Sequence, residues 1–267
     1  MSSLDNALLR NEPILIQTRV LADFVARCGS FEDTLRELLG SAPQAEIRDG
    51  VGIVPVHGII GKGLSPIEKI LGAVDVDDVS SQVEEFAANP AVRTILLDLD
   101  TPGGTVTGVP ELADLIGSQS KPTVAFTASM ACSAGYWIGS QAGRFFATPS
   151  ASVGSIGVYI PFVDSSAAFA SRGVFVDLIK AGKFKAAGFP GTTLSEDQRA
   201  LLQERVDQLH AAFKESVRAK RRYVRDTDME GQDFYGREAA EKRLLTGLVS
   251  SREQLITRLT RDLQHDA

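Results

Sequence analysis

The chain has 267 residues, 43% of them apolar and 23% charged, with a net charge of −6. That is enough material for one large domain with its own core, and the acidic balance gives no footing for a nucleic-acid or membrane-surface partner. Two cysteines, Cys28 and Cys132, exclude a disulfide framework and a cysteine metal site. No apolar run approaches the roughly 18 residues that span a bilayer, and "MSSLDNALLRNEP" lacks the basic-then-apolar order of a secretory signal, so a cytoplasmic location is expected.

Residues 1–45 read as a helical segment. Leu21, Phe24, Val25 and Cys28 recur at helical spacing until Gly29, and "FEDTLRELLG" repeats the pattern up to Gly40. "SAPQAEIRDG" is a linker, and residues 46–267 form the main domain. "VGIVPVHGII" is β-branched and apolar, a strand. "DDVSSQVEEFAANP" is a helix ended by Pro90, and "VRTILLDLD" is a strand stopped by "TPGGT". A helix over "GVPELADLIGSQS", a strand over "PTVAFTA" and a further helix after "SMACS" follow. "RFFATP" and "GVFVDLI" read as two more strands. From Ser195 a long amphipathic helix starts with a Ser195–Gln198 capping box and carries Leu202, Val206, Leu209, Phe213 and Val217 as its stripe. The basic cluster "RAKRRYVR" at its end reads as a solvated helix terminus. Strands alternating with helices predict an α/β fold with a parallel or mixed sheet.

Chemistry has few carriers. Of the three histidines, His57 lies in a strand, His210 on the long helix and His265 in the polar tail, and each reads as structural or solvated. Ser133, among the small residues of "SMACSAGYWIGS", falls where a strand meets a helix. Lysine can replace histidine as the base for a serine nucleophile, provided that desolvation lowers its pKa from about 10.4 toward 7–8. "IKAGKFKAAGFPG" offers Lys180, Lys183 and Lys185, and Lys185, followed by Ala-Ala-Gly, has the least polar setting. In "DTPGGTV", Gly103 and Gly104 let a carbonyl approach backbone N–H groups, as an oxyanion hole requires. Ser155, between glycines in "SVGSIGV", has a hydroxyl suited to holding a lysine amine. Ser118 and Lys121 have an S-x-x-K spacing, but at a helix end, where that motif does not work. Cys132 reads as a small packed residue.

Four ordered blocks, "LLDLDTPGGTVTG", "SMACSAGYWIGSQAGRFFATPSASVGSIGV", "DLIKAGKFKAAGFP" and "FYGREAAEKRLLTGLV", resemble the SppA family of Ser-Lys peptidases over about residues 50–250. The resemblance implies a ClpP/crotonase-like fold, a repeated β-β-α superhelical core with helices around the sheet. It implies Ser133 as nucleophile, Lys185 as general base, Ser155 as the serine that helps hold the lysine, Gly103 and Gly104 at the oxyanion, and no metal or cofactor. Ala134 stands where a glycine more often follows the nucleophile, and Trp137 where a smaller aromatic is common. The helical N-terminus, without a transmembrane segment, resembles the phage prohead protease branch, which trims capsid and scaffold proteins in the host cytoplasm or prohead. Relatives build their clefts between subunits, so a homo-oligomer, a ring among the options, is implied, with residues 1–45 as an assembly or substrate contact and 46–267 as the Ser-Lys peptidase domain. Three alternatives stay open: a soluble signal-peptide-peptidase-like protease that degrades residual peptides, a non-catalytic ring-forming assembly protein, and an acyl-CoA enzyme on the crotonase-like fold.

Overall fold

The computed structural model of the chain describes residues 14–16, 43–65, 68, 69 and 71–265. Of the segment expected to be helical, residues 14–16 and 43–45 are described and neither is helical: β1 (Ile14–Ile16) is extended and paired antiparallel with Gly103–Thr105. The helical patterns around Leu21 and over "FEDTLRELLG", with Cys28, lie outside the described residues.

The apolar run after residue 50 is two strands rather than one. β2 (Glu46–Arg48) and β3 (Val51–His57) form a hairpin whose two turn residues, Asp49 and Gly50, have positive φ of 49° and 82°. Gly58, at φ 105°, then breaks the run: a Cβ there would lie 1.7 Å from the Gly72 carbonyl oxygen. The chain leaves the first sheet and forms β4 (Ile59–Gly61), which pairs parallel with β5 (Ala73–Asp75). α1 (Val76–Ala88) follows, capped by Asp75, whose carboxylate accepts the Asp77 N–H at 3.0 Å. Its C-terminal end is held by the Lys121 ammonium, which donates to the carbonyls of Phe86 and Asn89 at 2.8 and 2.6 Å. Lys121 of the S-x-x-K pair is thus a helix cap.

The pattern then repeats. β6 (Thr94–Thr101) pairs parallel with β3, β7 (Gly103–Thr105) pairs parallel with β4, and α2 (Val109–Gly117) packs back on α1. Each of these two units gives one strand to a large sheet, then β4 and β5 in the first and β7 in the second to a small sheet, and then a helix, which follows the β-β-α repeat that the resemblance implies, with β5 as an extra strand. The third unit opens with β8 (Thr123–Cys132), parallel to β6, and α3 (Ala134–Ser140). β9 (Arg144–Ala147) runs along the first half of β8, and β10 (Ser152–Gly154) along its last three residues.

Beyond β10 the chain changes character. After the short α4 (Ser166–Ser171), the run "GVFVDLI" is not the strand that its residues suggest. Among the described residues no strand lies beside it, and Phe175 and Ile179 stand 84% and 102% exposed. β-propensity expresses itself only where an edge is available to pair with. α5 (Glu196–Lys220) carries the expected capping box, with Ser195 Oγ accepting the Gln198 N–H and Gln198 Oε1 accepting the Ser195 N–H. Of its stripe, Phe213 and Val217 are buried, while Leu202, Val206 and Leu209 are half-buried. The cluster "RAKRRYVR" is not simply solvated: Arg221 is buried, donates to the Ala142 carbonyl at 2.8 Å, and has its guanidinium pushed down by burial. β11 (Asp233–Tyr235), α6 (Gly236–Glu241), β12 (Gly247–Leu248) and α7 (Arg252–His265) complete the chain.

The large sheet has the order β11-β10-β8-β6-β3-β2, with β9 and then β12 alongside β8, and the small sheet has the order β1-β7-β4-β5. Both faces of the large sheet are covered, which is why its strands read as continuous apolar runs. Val54, Val56, Leu97 and Leu99 join the cluster with Val79, Val83, Leu112 and Ile116 of α1 and α2. Val51, Ile53, Leu96 and Phe126 join Leu255, Ile256 and Leu259 of α7 on the other face. α3 is buried at all seven positions. Its Trp137 ring stacks on Phe213 with centroids 4.5 Å apart, and the indole N–H donates to Ser216 Oγ at 2.9 Å. Tyr136 donates its hydroxyl to the Leu244 carbonyl at 2.9 Å, and burial pushes its phenol up.

Candidate active site

Ser133 is the single residue between β8 and α3. A strand that turns directly into a buried helix forces an unusual backbone at the joint, and Ser133 adopts φ 54°, ψ −119° with 2% of its surface exposed. A residue with a Cβ pays ~1–3 kcal/mol for such a conformation. The hydroxyl does not compensate: Ser133 stands at the N-cap position without capping, and among the described residues Oγ has no hydrogen-bond partner. Its backbone is fixed instead, with the Ser133 N–H donating to the Gly154 carbonyl at 2.8 Å and the Ser133 carbonyl accepting the Trp137 N–H at 2.9 Å.

Ser155 is brought beside it by register. β8 and β10 end level, Cys132 opposite Gly154, and the next residue on each is a serine with positive φ, 54° at Ser133 and 53° at Ser155. The Ser155 N–H donates to the Gln232 carbonyl at 2.8 Å, which holds this second turn on the chain leading into β11. Cys132 is a buried packing residue, as expected, with Sγ 3.5 Å from Ser152 Oγ.

The glycine turn lies against the start of α3. The register of β6 on β8 shifts after Leu99, so that Thr101 comes opposite Ala131, two residues before Ser133. Gly103 has φ 103°, and a Cβ on Gly104 would lie 1.8 Å from the Ile60 carbonyl oxygen, so the close packing of β7 on β4 requires glycine there. The Gly103 N–H donates to Thr101 Oγ1 at 3.0 Å. A Cβ on Gly135 would lie 2.3 Å from Thr101 Cγ2, so the first turn of α3 sits directly on the threonine. The first N–H groups of a helix have no acceptor within it. That of Ala134, immediately after Ser133, is therefore a candidate oxyanion donor, one that the sequence reading did not single out although its place at a helix start was the signal.

Lys185 is not joined to these groups. It lies in an exposed turn, its N–H donates to the Gly182 carbonyl at 3.1 Å, and its side chain bonds to neither serine. Lys183 pairs with Asp197 at 2.5 Å. The same stretch exposes Val163, Phe175, Ile179, Phe184 and Phe189. The histidines go elsewhere: His57 Nε2 lies 3.3 Å from Asp98, and His210 Nε2 contacts the carbonyls of Ile156 and Met229 at 3.1 and 2.8 Å. Among the described residues no group of three or more His, Cys, Asp or Glu side chains is placed to hold a metal ion. Nor is any helix among them long and apolar enough to cross a membrane.

The chain is thus an α/β protein with a strained serine at a strand-to-helix turn beside a glycine turn, its hydroxyl without a partner among the described residues. Sequence comparison gives the family. Residues 116–265 match peptidase family S49, and the chain belongs to that family. The NfeD1b N-terminal domain also matches, over residues 52–171. The chain is 33% identical over 216 residues to capsid assembly protease C of Escherichia phage lambda, covering 79% of this chain and 49% of that one. It is 29% identical to the head-tail preconnector protein GP5 of Enterobacteria phage P21, covering 78% and 42%. The chain thus spans about half the length of these relatives. Among solved structures, an enoyl-CoA hydratase/isomerase family member aligns with a TM-score of 0.44 and 20% identity, over 82% of this chain and 75% of that one.

Proposed function

We propose that the chain is a serine endopeptidase with a Ser133–Lys185 dyad that processes capsid or scaffold protein of a phage or prophage. The observation that carries it is the geometry of Ser133, strained and unbonded beside the glycine turn, in a chain of a peptidase family. The substrate class rests on the similarity to the two phage proteins. The site of action is then the host cytoplasm or the prohead.

In the proposed reaction the neutral Lys185 amine takes the proton of Ser133 Oγ as Oγ bonds to the scissile carbonyl carbon. The oxyanion accepts hydrogen bonds from Ala134 N–H and, since Thr101 Oγ1 takes the Gly103 N–H, from Gly104 N–H rather than from Gly103. The C–N bond breaks, and the Lys185 ammonium returns its proton to the leaving amine. Water then gives its proton to Lys185 as its oxygen attacks the acyl carbon, and Ser133 leaves as the hydroxyl. Ser155, level with Ser133, holds the lysine amine.

Lys185 is exposed and bonds to neither serine, whereas a lysine base works desolvated and in contact with its nucleophile. Assembly solves this in the proposal: the apolar side chains of residues 163–189 are covered in a homo-oligomer, which desolvates Lys185 and brings it to Ser133. The exposure of Lys185 also favours a second reading, a ring-forming assembly protein without catalysis. Cleavage of an unfolded protein and of a candidate capsid partner, read by mass spectrometry, separates the two. The dyad requires cleavage by the wild type and none by folded Ser133→Ala or Lys185→Ala; equal cleavage by Ser133→Ala refutes it.

A further inference from the structure

We propose that Thr101 is a positioning residue for the oxyanion hole, a clamp that fixes the glycine turn to the helix behind Ser133 through two different atoms. The inference rests on the peptidase reading above. Thr101 is the last residue of β6, fully buried, and its side chain faces two ways. Its hydroxyl oxygen accepts the Gly103 N–H at 3.0 Å, and its methyl carbon occupies the space against Gly135, where a Cβ would come within 2.3 Å. Gly103 begins the turn and Gly135 lies two residues after the nucleophile, so one side chain spans the two halves of the site. Its own position is set by the register shift that puts it opposite Ala131.

The hydrogen bond does more than satisfy a buried donor. Gly103 has φ 103°, and glycine has little intrinsic preference for one backbone state. Without an acceptor at Thr101, the peptide between Pro102 and Gly103 is free to rotate, and with it the direction of the neighbouring amides. The threonine hydroxyl takes the Gly103 N–H as acceptor, so this turn presents its other polar groups to a substrate carbonyl in one orientation. The methyl keeps that orientation in step with Ala134 N–H, which belongs to the helix resting on it.

Two substitutions divide the roles. Thr101→Val keeps the methyl against Gly135 and removes the acceptor; Thr101→Ser keeps the acceptor and removes the methyl. Misplaced oxyanion donors affect the transition state and not substrate binding. For Thr101→Val the expected result is therefore a fall of roughly 10- to 100-fold in kcat and in kcat/KM, with KM unchanged. The Gly103 amide, followed by NMR, should also exchange faster with solvent. Thr101→Ser should keep kcat within about threefold of wild type while melting at a lower temperature, because it leaves a methyl-sized gap. Should Thr101→Val not fold, Thr101→Cys takes its place: it has the shape of the serine variant with a weak acceptor, and its kcat should fall below that of Thr101→Ser. Wild-type kinetics in Thr101→Val, or in Thr101→Cys, overturns the inference. Labelling of Ser133 by a fluorophosphonate reports on the underlying reading. A wild type that neither labels nor cleaves overturns the peptidase reading and this inference together, whereas a wild type that labels beside a fully active Thr101→Val overturns the inference alone.

Discussion

The strain at Ser133 gives the most direct test of the site. Removing the hydroxyl alone, as Ser133→Ala, leaves the Cβ and therefore the backbone penalty at φ 54°. Since Oγ has no partner among the described residues, that change should shift stability by less than about 0.5 kcal/mol. Ser133→Gly also removes the Cβ. Relief of the positive φ is worth ~1–3 kcal/mol, and the extra freedom of glycine in the unfolded chain takes back ~0.5–1 kcal/mol. The glycine variant should thus exceed the alanine variant by about 1 kcal/mol, or about 2–4 °C in melting temperature for a domain of this size. Denaturant unfolding of wild type and both variants at one protein concentration, with equal m-values, reads the difference without assembly confusing it. Both variants should be inactive. An alanine variant as stable as the glycine variant would show that the serine is not held under strain, and the central argument for it as nucleophile would fail.

Other consequences can be checked alongside. Lys185→Met should abolish cleavage and leave the monomer's melting temperature within about 1 °C, because its exposed side chain bonds to nothing described; retained cleavage would exclude Lys185 as the base. If the proposed oligomer forms through this surface, Phe175→Asp with Ile179→Asp should leave only monomers in light scattering and remove activity with it, and an unchanged mass would refute that contact. Trp137→Ala should cost about 3–5 kcal/mol, seen as a melting temperature lower by roughly 10 °C, since it empties the stack on Phe213 and orphans Ser216. The Asp228 carboxyl is held below its ordinary value of 3.8 by the hydrogen bond from Arg225 and then that from Lys242. A depressed folded pKa adds stability that is complete above pH 3.8 and is lost as pH falls through the lower folded value. In acid titrations of stability, Asp228→Asn should therefore lose less than wild type over that interval.

The long elements were legible because their signals are local. The strand of Leu96 and Leu97, the helix after Asp75 and the capping box at Ser195 each announce themselves within a few residues. The Ser133 block was legible because a strand, a small-residue turn and a helix follow one another without a gap. What escaped depends on distant partners. β10, β11 and β12 have two or three residues each and exist because β8, β10 and β9, in that order, offer them edges. "GVFVDLI" failed as a strand for the converse reason, having the residues and no edge. The division of the first apolar run at Gly58 depends on the carbonyl of Gly72, 14 residues on, which no local pattern displays. Arg221 reads as one more surface charge until the Ala142 carbonyl is found above it.

The supports of Ser133 also impose an order in time. Its N–H rests on the carbonyl of Gly154, at the end of β10, and β10 is flanked in turn by β11 at Asp233–Tyr235. The Tyr136 hydroxyl, in the first turn after the nucleophile, is anchored on Leu244, 108 residues downstream. At ribosomal rates of ~5–20 residues per second, the serine emerges several seconds before its anchors are made. A growing chain thus carries Ser133 without the frame that fixes it until residues 233–244 have been made.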